Sequence, residues 1–227
     1  MKKIFLFIAL ILSLEQAVAQ KHFYFELRAF DKIQINGNID AQISRAGEED
    51  ATLSVNGIEP DRVSIEVEGR TLKIKIGFFE GRDALVKVWI NYKEIREVNA
   101  SNGASLHFTE PIKSNYMKIS AGTGSSIDAQ GEFRILEIKA SAGSKINIRG
   151  KADIADISAN TTAEVQAEGL VCQEGILKAY TGAKITIQIE QSLEATSATG
   201  AEITVKGNPV IEKVSTSTGG ILTRIKL

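Results

Sequence analysis

The feature that most constrains this chain is a short element repeated seven times from residue 98 onward. The copies read VNASNGASLHF, ISAGTGSSIDA, IKASAGSKINI, ISANTTAEVQA, LKAYTGAKITI, ATSATGAEITV and VSTSTGGILTR. Each runs from an apolar residue through alternating small and polar residues to an anchor and on to another apolar residue. The anchors are Gly103, Gly124, Gly143, Thr162, Gly182, Gly200 and Gly219, spaced 21, 19, 19, 20, 18 and 19 residues apart. A unit of this size cannot bury its apolar face alone. Stacked on copies of itself it can, which is the physical basis of a solenoid.

The offsets from the anchor define the local structure. Five before it stand Val98, Ile119, Ile138, Ile157, Leu177, Ala195 and Val214; three after it stand Leu106, Ile127, Ile146, Val165, Ile185, Ile203 and Leu222. These odd offsets share one face of an extended chain, and the even offsets are mostly polar. A period of two predicts strands, and helical spacing would scramble the division. Two residues after the anchor the outward column reads Ser105, Ser126, Lys145, Glu164, Lys184, Glu202, Ile221. In-register parallel stacking, with equivalent residues about 4.8 Å apart, favours that alternation of sign. The column one before the anchor is rich in threonine, and its hydroxyls are expected to bond along the solenoid axis. A second glycine set, Gly131, Gly150, Gly169 and Gly207, predicts corners with positive φ.

Residues 30–97 are β-rich but less regular. They are expected to form the first, longer coils, continuous with the later stack and capping its N-terminal end, where an open coil would expose unpaired edges. No proline-rich or serine-rich linker divides the chain, so residues 20–227 read as a single domain. Residues 1–19 read as a signal peptide: Met-Lys-Lys, an apolar run from Ile4 to Leu12, and Ala17-Val18-Ala19. No second apolar run follows, which predicts an exported mature chain without a transmembrane segment. The net charge of −1 is spread without a basic block, which argues against nucleic acid as a partner. Cys172 is the only cysteine, so no internal disulfide is possible, and it reads as a buried thiol.

Three segments then carry a family resemblance: the F-x-x-I-x-I-x-G-x-I opening of Phe30 to Ile39, the E-V-E-G-x-x-L-x-I stretch of Glu66 to Ile74, and the recurrent small-small-Gly-small-x-Ile units. Over roughly residues 30–223 the chain resembles the bacterial family known as putative auto-transporter adhesin, head GIN domain, common in Bacteroidetes. Its serine-glycine units have drifted here toward alanine and threonine, as in SAGSK and YTGAK. The resemblance implies an all-β, right-handed parallel β-helix with coils of about 19 residues. It brings no catalytic residues with it.

The residues themselves offer few functional candidates. A carbohydrate-active β-helix enzyme needs clustered carboxylates. Glu164 and Glu202 stand two coils apart with Lys184 between them, nearer a solvated ladder than the paired acids of a glycosidase. His22, His107 and Cys172 lack ligand spacing, so neither a metal site nor a cofactor is expected. Phe78 and Phe79 sit in a Gly77–Gly81 turn, read first as a cap over the coil end and second as a contact with a partner or a sister subunit. Tyr180 is the one large side chain in an outward column of small residues, read as a cover for its neighbours or a ligand-contact face. The leading expectation is a non-catalytic cell-envelope protein, an adhesin-like interaction or scaffold module with a protein or glycan partner, in the periplasm, on the outer-membrane surface or outside the cell. The alternatives are a polysaccharide lyase or hydrolase, and a small-ligand or lipid-binding scaffold.

Overall fold

The computed structural model describes residues 22–77 and 84–226; the expected signal peptide and the Phe78-Phe79 pair lie outside these residues. A two-residue turn organises each repeat. Thr123 (φ 48°) and Gly124 (φ 67°) are both left-handed, and the Ser125 N–H donates to the Gly122 carbonyl at 3.3 Å. Two central residues with positive φ define a type I′ turn. The same turn recurs at every anchor, which explains the repeated glycine: it enters the left-handed region without steric cost.

The column before the anchor fills the first central position of each turn, from Asn102 (φ 56°) to Thr218 (φ 48°). Here the structure corrects the expected hydroxyl ladder. The axial bonds at this corner are made by the backbone: the N–H groups of Gly103, Gly124 and Gly143 donate to the carbonyls of Thr123, Ala142 and Thr161, each at 3.0 Å.

The N-terminal strands are β1 (His22–Glu26), β2 (Lys32–Asn36), β3 (Asp40–Arg45), β4 (Asp50–Asn56), β5 (Val63–Glu68), β6 (Thr71–Ile76) and β7 (Leu85–Tyr92). The repeats follow as β8 (Glu97–Ser101), β9 (Ser105–Phe108), β10 (Ile112–Ala121), β11 (Ser126–Ala140), β12 (Lys145–Ala159), β13 (Glu164–Tyr180), β14 (Lys184–Ala198), β15 (Glu202–Lys206), β16 (Ile211–Ser217) and β17 (Ile221–Ile225). All belong to one curled sheet that forms a β-solenoid of about seven turns. Each type I′ turn joins a pre-turn arm to a post-turn arm. Pre-turn arms stack in parallel through Ile119, Ile138, Ile157 and Leu177, and post-turn arms through Ile127, Ile146, Val165 and Ile185. All eight side chains are fully buried. Each contributes about 1.5–3 kcal/mol by leaving water. In the last coil, Val214 is exposed and Leu222 only partly buried, because one neighbour alone covers them.

The second glycine set needs a partial correction. Gly150 (φ 120°) and Gly207 (φ 109°) are left-handed corners, while Gly131 and Gly169 do not have positive φ. Gly131 is required by space: a Cβ there would lie 2.4 Å from the Ile112 carbonyl oxygen. Register near Gly169 is broken by an extra residue in β13, so Gly169 faces Arg149 and Gly150 faces Leu170.

The N-terminal coils do not stack in chain order. Strand β2 pairs in parallel with both β6 and β8, and β3 with both β7 and β9. The first coil is therefore inserted between the second and third. Strands β5, β4 and β1 then add antiparallel to β6, β7 and β4, respectively, at that end of the stack. The Gly69-Arg70 link explains the first of these. Two residues suffice to reverse a strand, whereas a parallel partner needs a long crossover. Asp31 fastens this junction. Its carboxylate takes Arg70 at 2.8 Å and Arg96 at 3.0 Å. Burial disfavours the charge, but the two guanidinium groups outweigh it and hold the carboxyl below its ordinary range. Among the described residues no helix is long and apolar enough to cross a membrane.

Candidate functional site

The outward side chains of the post-turn arms form rows across the stack. Two residues after the anchor, Lys145, Glu164, Lys184 and Glu202 are in register. Lys145 meets Glu164 at 3.7 Å and Lys184 meets Glu202 at 3.1 Å. The two glutamates thus flank a lysine, as the alternation implied, and each is held by a cation rather than by the other.

A second row lies four residues after the anchor. In the repeats it passes from His107 through Asp128, Asn147 and Gln166 to Thr186, Thr204 and Thr223. The N-terminal strands extend it: His107 faces Gln42, Gln42 faces Trp89, Trp89 faces Thr52, and Thr52 faces Tyr24. Every member is exposed or half-buried. With strands about 4.8 Å apart, the row runs roughly 48 Å across eleven strands. Tyr24 is 64% exposed, and the Trp89 ring rests against His22 with centroids 5.7 Å apart. Asp128 accepts a hydrogen bond from Asn147 Nδ2 at 2.9 Å and pairs with Arg149 at 3.4 Å. Gln166 donates to Glu164 at 2.6 Å. A depression of about 370 Å³ opens over His107, Asp128, Asn147 and Gln166.

Two adjoining clefts, of about 420 and 470 Å³, share Lys113, Ser114 and Asn115. Part of their charge is already engaged: Asp31 with Arg96, Lys93 with Glu49 at 3.0 Å, and Lys113 with Glu132 at 3.6 Å. Tyr116 donates to Glu137 at 2.6 Å, and that bond, with burial, pushes its hydroxyl up to about 12. These contacts hold part of the cleft walls.

Of the residues singled out from the sequence, Tyr180 is half-buried at the first position of its type I′ turn, where its carbonyl accepts from the Ala183 N–H at 3.2 Å. It stands outside the four-after-anchor row. Cys172 is buried, its thiol donates to the Glu174 carbonyl at 2.9 Å, and burial raises it to about 11. Sequence reasoning missed the second row. Its repeat half was legible as the four-after-anchor column, but Gln42, Trp89, Thr52 and Tyr24 follow no repeat and join it only through the out-of-order insertion.

The model of the family described as putative auto-transporter adhesin, head GIN domain, matches residues 29–209. The chain belongs to this family. Solved structures agree in fold with this head GIN domain chain. A putative adhesin from Bacteroides fragilis superposes with a TM-score of 0.78 at 16% identity, covering 94% of this chain and 100% of that one. A putative lipid binding protein from Parabacteroides distasonis gives 0.71 at 20% identity, covering 90% and 96%. A putative adhesin from Parabacteroides merdae gives 0.69 at 21% identity, covering 90% and 95%. No curated protein sequence matches the chain.

Proposed function

We propose that this head GIN domain protein is an exported, non-catalytic, adhesin-like module of the cell envelope, and that its post-turn face is the surface that binds. The observation carrying this reading is the second row: eleven outward side chains aligned across the strands from Tyr24 to Thr223. A ligand lying along such a face touches many groups at once, which suits adhesion. Catalysis instead needs groups converging on one reacting atom. Glu164 and Glu202, the acids nearest to an enzymatic pair, are each neutralised by a lysine. Membership of an adhesin-named family supports the same reading.

Labelled chain from residue 20 onward, applied to intact bacterial and epithelial cells, should bind saturably and be displaced by unlabelled chain. Fractionation of cells expressing the full sequence should recover it outside the cytoplasm. Cytoplasmic retention together with unsaturable binding would remove the basis for this reading.

A further inference from the structure

We propose that the post-turn face binds a neutral, extended, β-linked polysaccharide laid across the strands, with Trp89 at the centre of its aromatic half. This deepens the adhesive reading and rests on it. The row has a periodicity that such a chain can match. Rings recur on every second strand, at Tyr24, Trp89 and His107. Twice the strand spacing puts them about 10 Å apart. An extended β-linked glycan presents the same sugar face once per disaccharide at a comparable spacing, so successive rings can stack on equivalent faces. Tyr and Trp suit this contact, being flat and apolar in body with a polar edge left for water or hydroxyls.

The chemistry between and beyond the rings suits the same ligand. Thr52 and Gln42 alternate with them, and Asp128, Asn147 and Gln166 follow. Hydroxyl and amide side chains both donate and accept, as sugar hydroxyls do. Asp128 and Gln166 are already oriented by Asn147, Arg149 and Glu164, so less side-chain freedom is lost on binding. The depression over these residues deepens the face where rings give way to polar groups.

Charge narrows the ligand further. The flanking row alternates Lys145, Glu164, Lys184 and Glu202 in ion pairs and presents no dominant sign. That balance favours an uncharged chain over an acidic one. Protein partners bind through an apolar interface core, whereas this row carries rings and polar groups but no aliphatic side chain.

Trp89 is the only tryptophan in the sequence, so its emission reports on the row directly. Cellohexaose and chitohexaose are titrated separately into the chain from residue 20 onward, with α-linked maltohexaose as control. Saturable change with at least one β-linked hexasaccharide and none with maltohexaose is expected. Tyr24→Ala and Gln42→Ala, both at exposed positions, should each weaken binding about tenfold while circular dichroism and melting temperature stay near wild type. An unchanged signal with both β-linked sugars up to millimolar concentration overturns the proposal. So does an equal response to maltohexaose, or undiminished affinity in the Tyr24→Ala/Gln42→Ala double variant. If cell binding persists without glycan binding, the glycan assignment falls and the adhesive reading stands; if both are lost, both fall.

Discussion

Thr162 occupies the second central position of its type I′ turn with φ 57°, where the other six repeats carry glycine at 67–83°. A side chain in the left-handed region costs about 1–2 kcal/mol, and glycine returns part of that as unfolded-state entropy. Thr162→Gly should therefore raise stability by about 1 kcal/mol in a denaturant titration. The opposite change, Gly124→Val, should lower it by about 1–2 kcal/mol; a Cβ at Gly124 meets nothing within 4 Å, so the effect is conformational. Asp31 supplies a pH-dependent test. Its carboxyl lies below its ordinary range in the folded chain because Arg70 and Arg96 outweigh burial. The stabilisation is present above the unfolded value of about 4 and is lost as pH falls through the lower folded value. Asp31→Asn should cost about 1–3 kcal/mol at pH 7 and flatten the acid limb of the melting-temperature profile. Cys172, with its thiol raised to about 11 by burial, should resist alkylation at pH 8 in native protein and react only after unfolding. The sequence showed that a glycine or a small residue was needed at each anchor. It did not show that Thr162 is the strained exception, because threonine also fits the alternation.

At the scale of the element, the bends between post-turn and pre-turn arms are narrower than the type I′ corners. A Cβ on Gly150 would fall 1.9 Å from the Gly131 carbonyl oxygen, and one on Gly207 2.3 Å from that of Ile189. Gly150→Ala should therefore cost about 3 kcal/mol or more, since backbone must move to admit it. Thermal melts of Gly150→Ala beside Gly124→Ala would separate steric from conformational demand, with the larger loss expected at residue 150. The strands of the repeat were legible because alternation and period agree, and the inward columns from Val98 to Ala195 are buried as the offsets implied. The two reasons for a glycine position within the repeat, torsion at Gly124 and space at Gly131, look identical in a sequence. The strand order at the N-terminal end was hidden for a different reason. Pairing β2 between β6 and β8 depends on contacts tens of residues apart, on which local periodicity carries no information.

At the scale of the whole molecule, that hidden order creates the candidate surface. Placing β3 between β7 and β9 sets Gln42 between Trp89 and His107. It thereby joins an aromatic half from the irregular strands to a polar half from the repeats. The candidates visible in sequence were large residues standing out locally, such as Tyr180, whereas the row is a property of stacking. The most direct test compares cell binding by two variants of equal charge change. Gln42→Arg/Asn147→Arg alters the post-turn face, and Ser120→Arg/Ser158→Arg alters the outward side of the pre-turn arms. Loss of saturable binding in the first and retention in the second is the result expected. Loss in the pre-turn variant with retention in the post-turn variant would contradict the account.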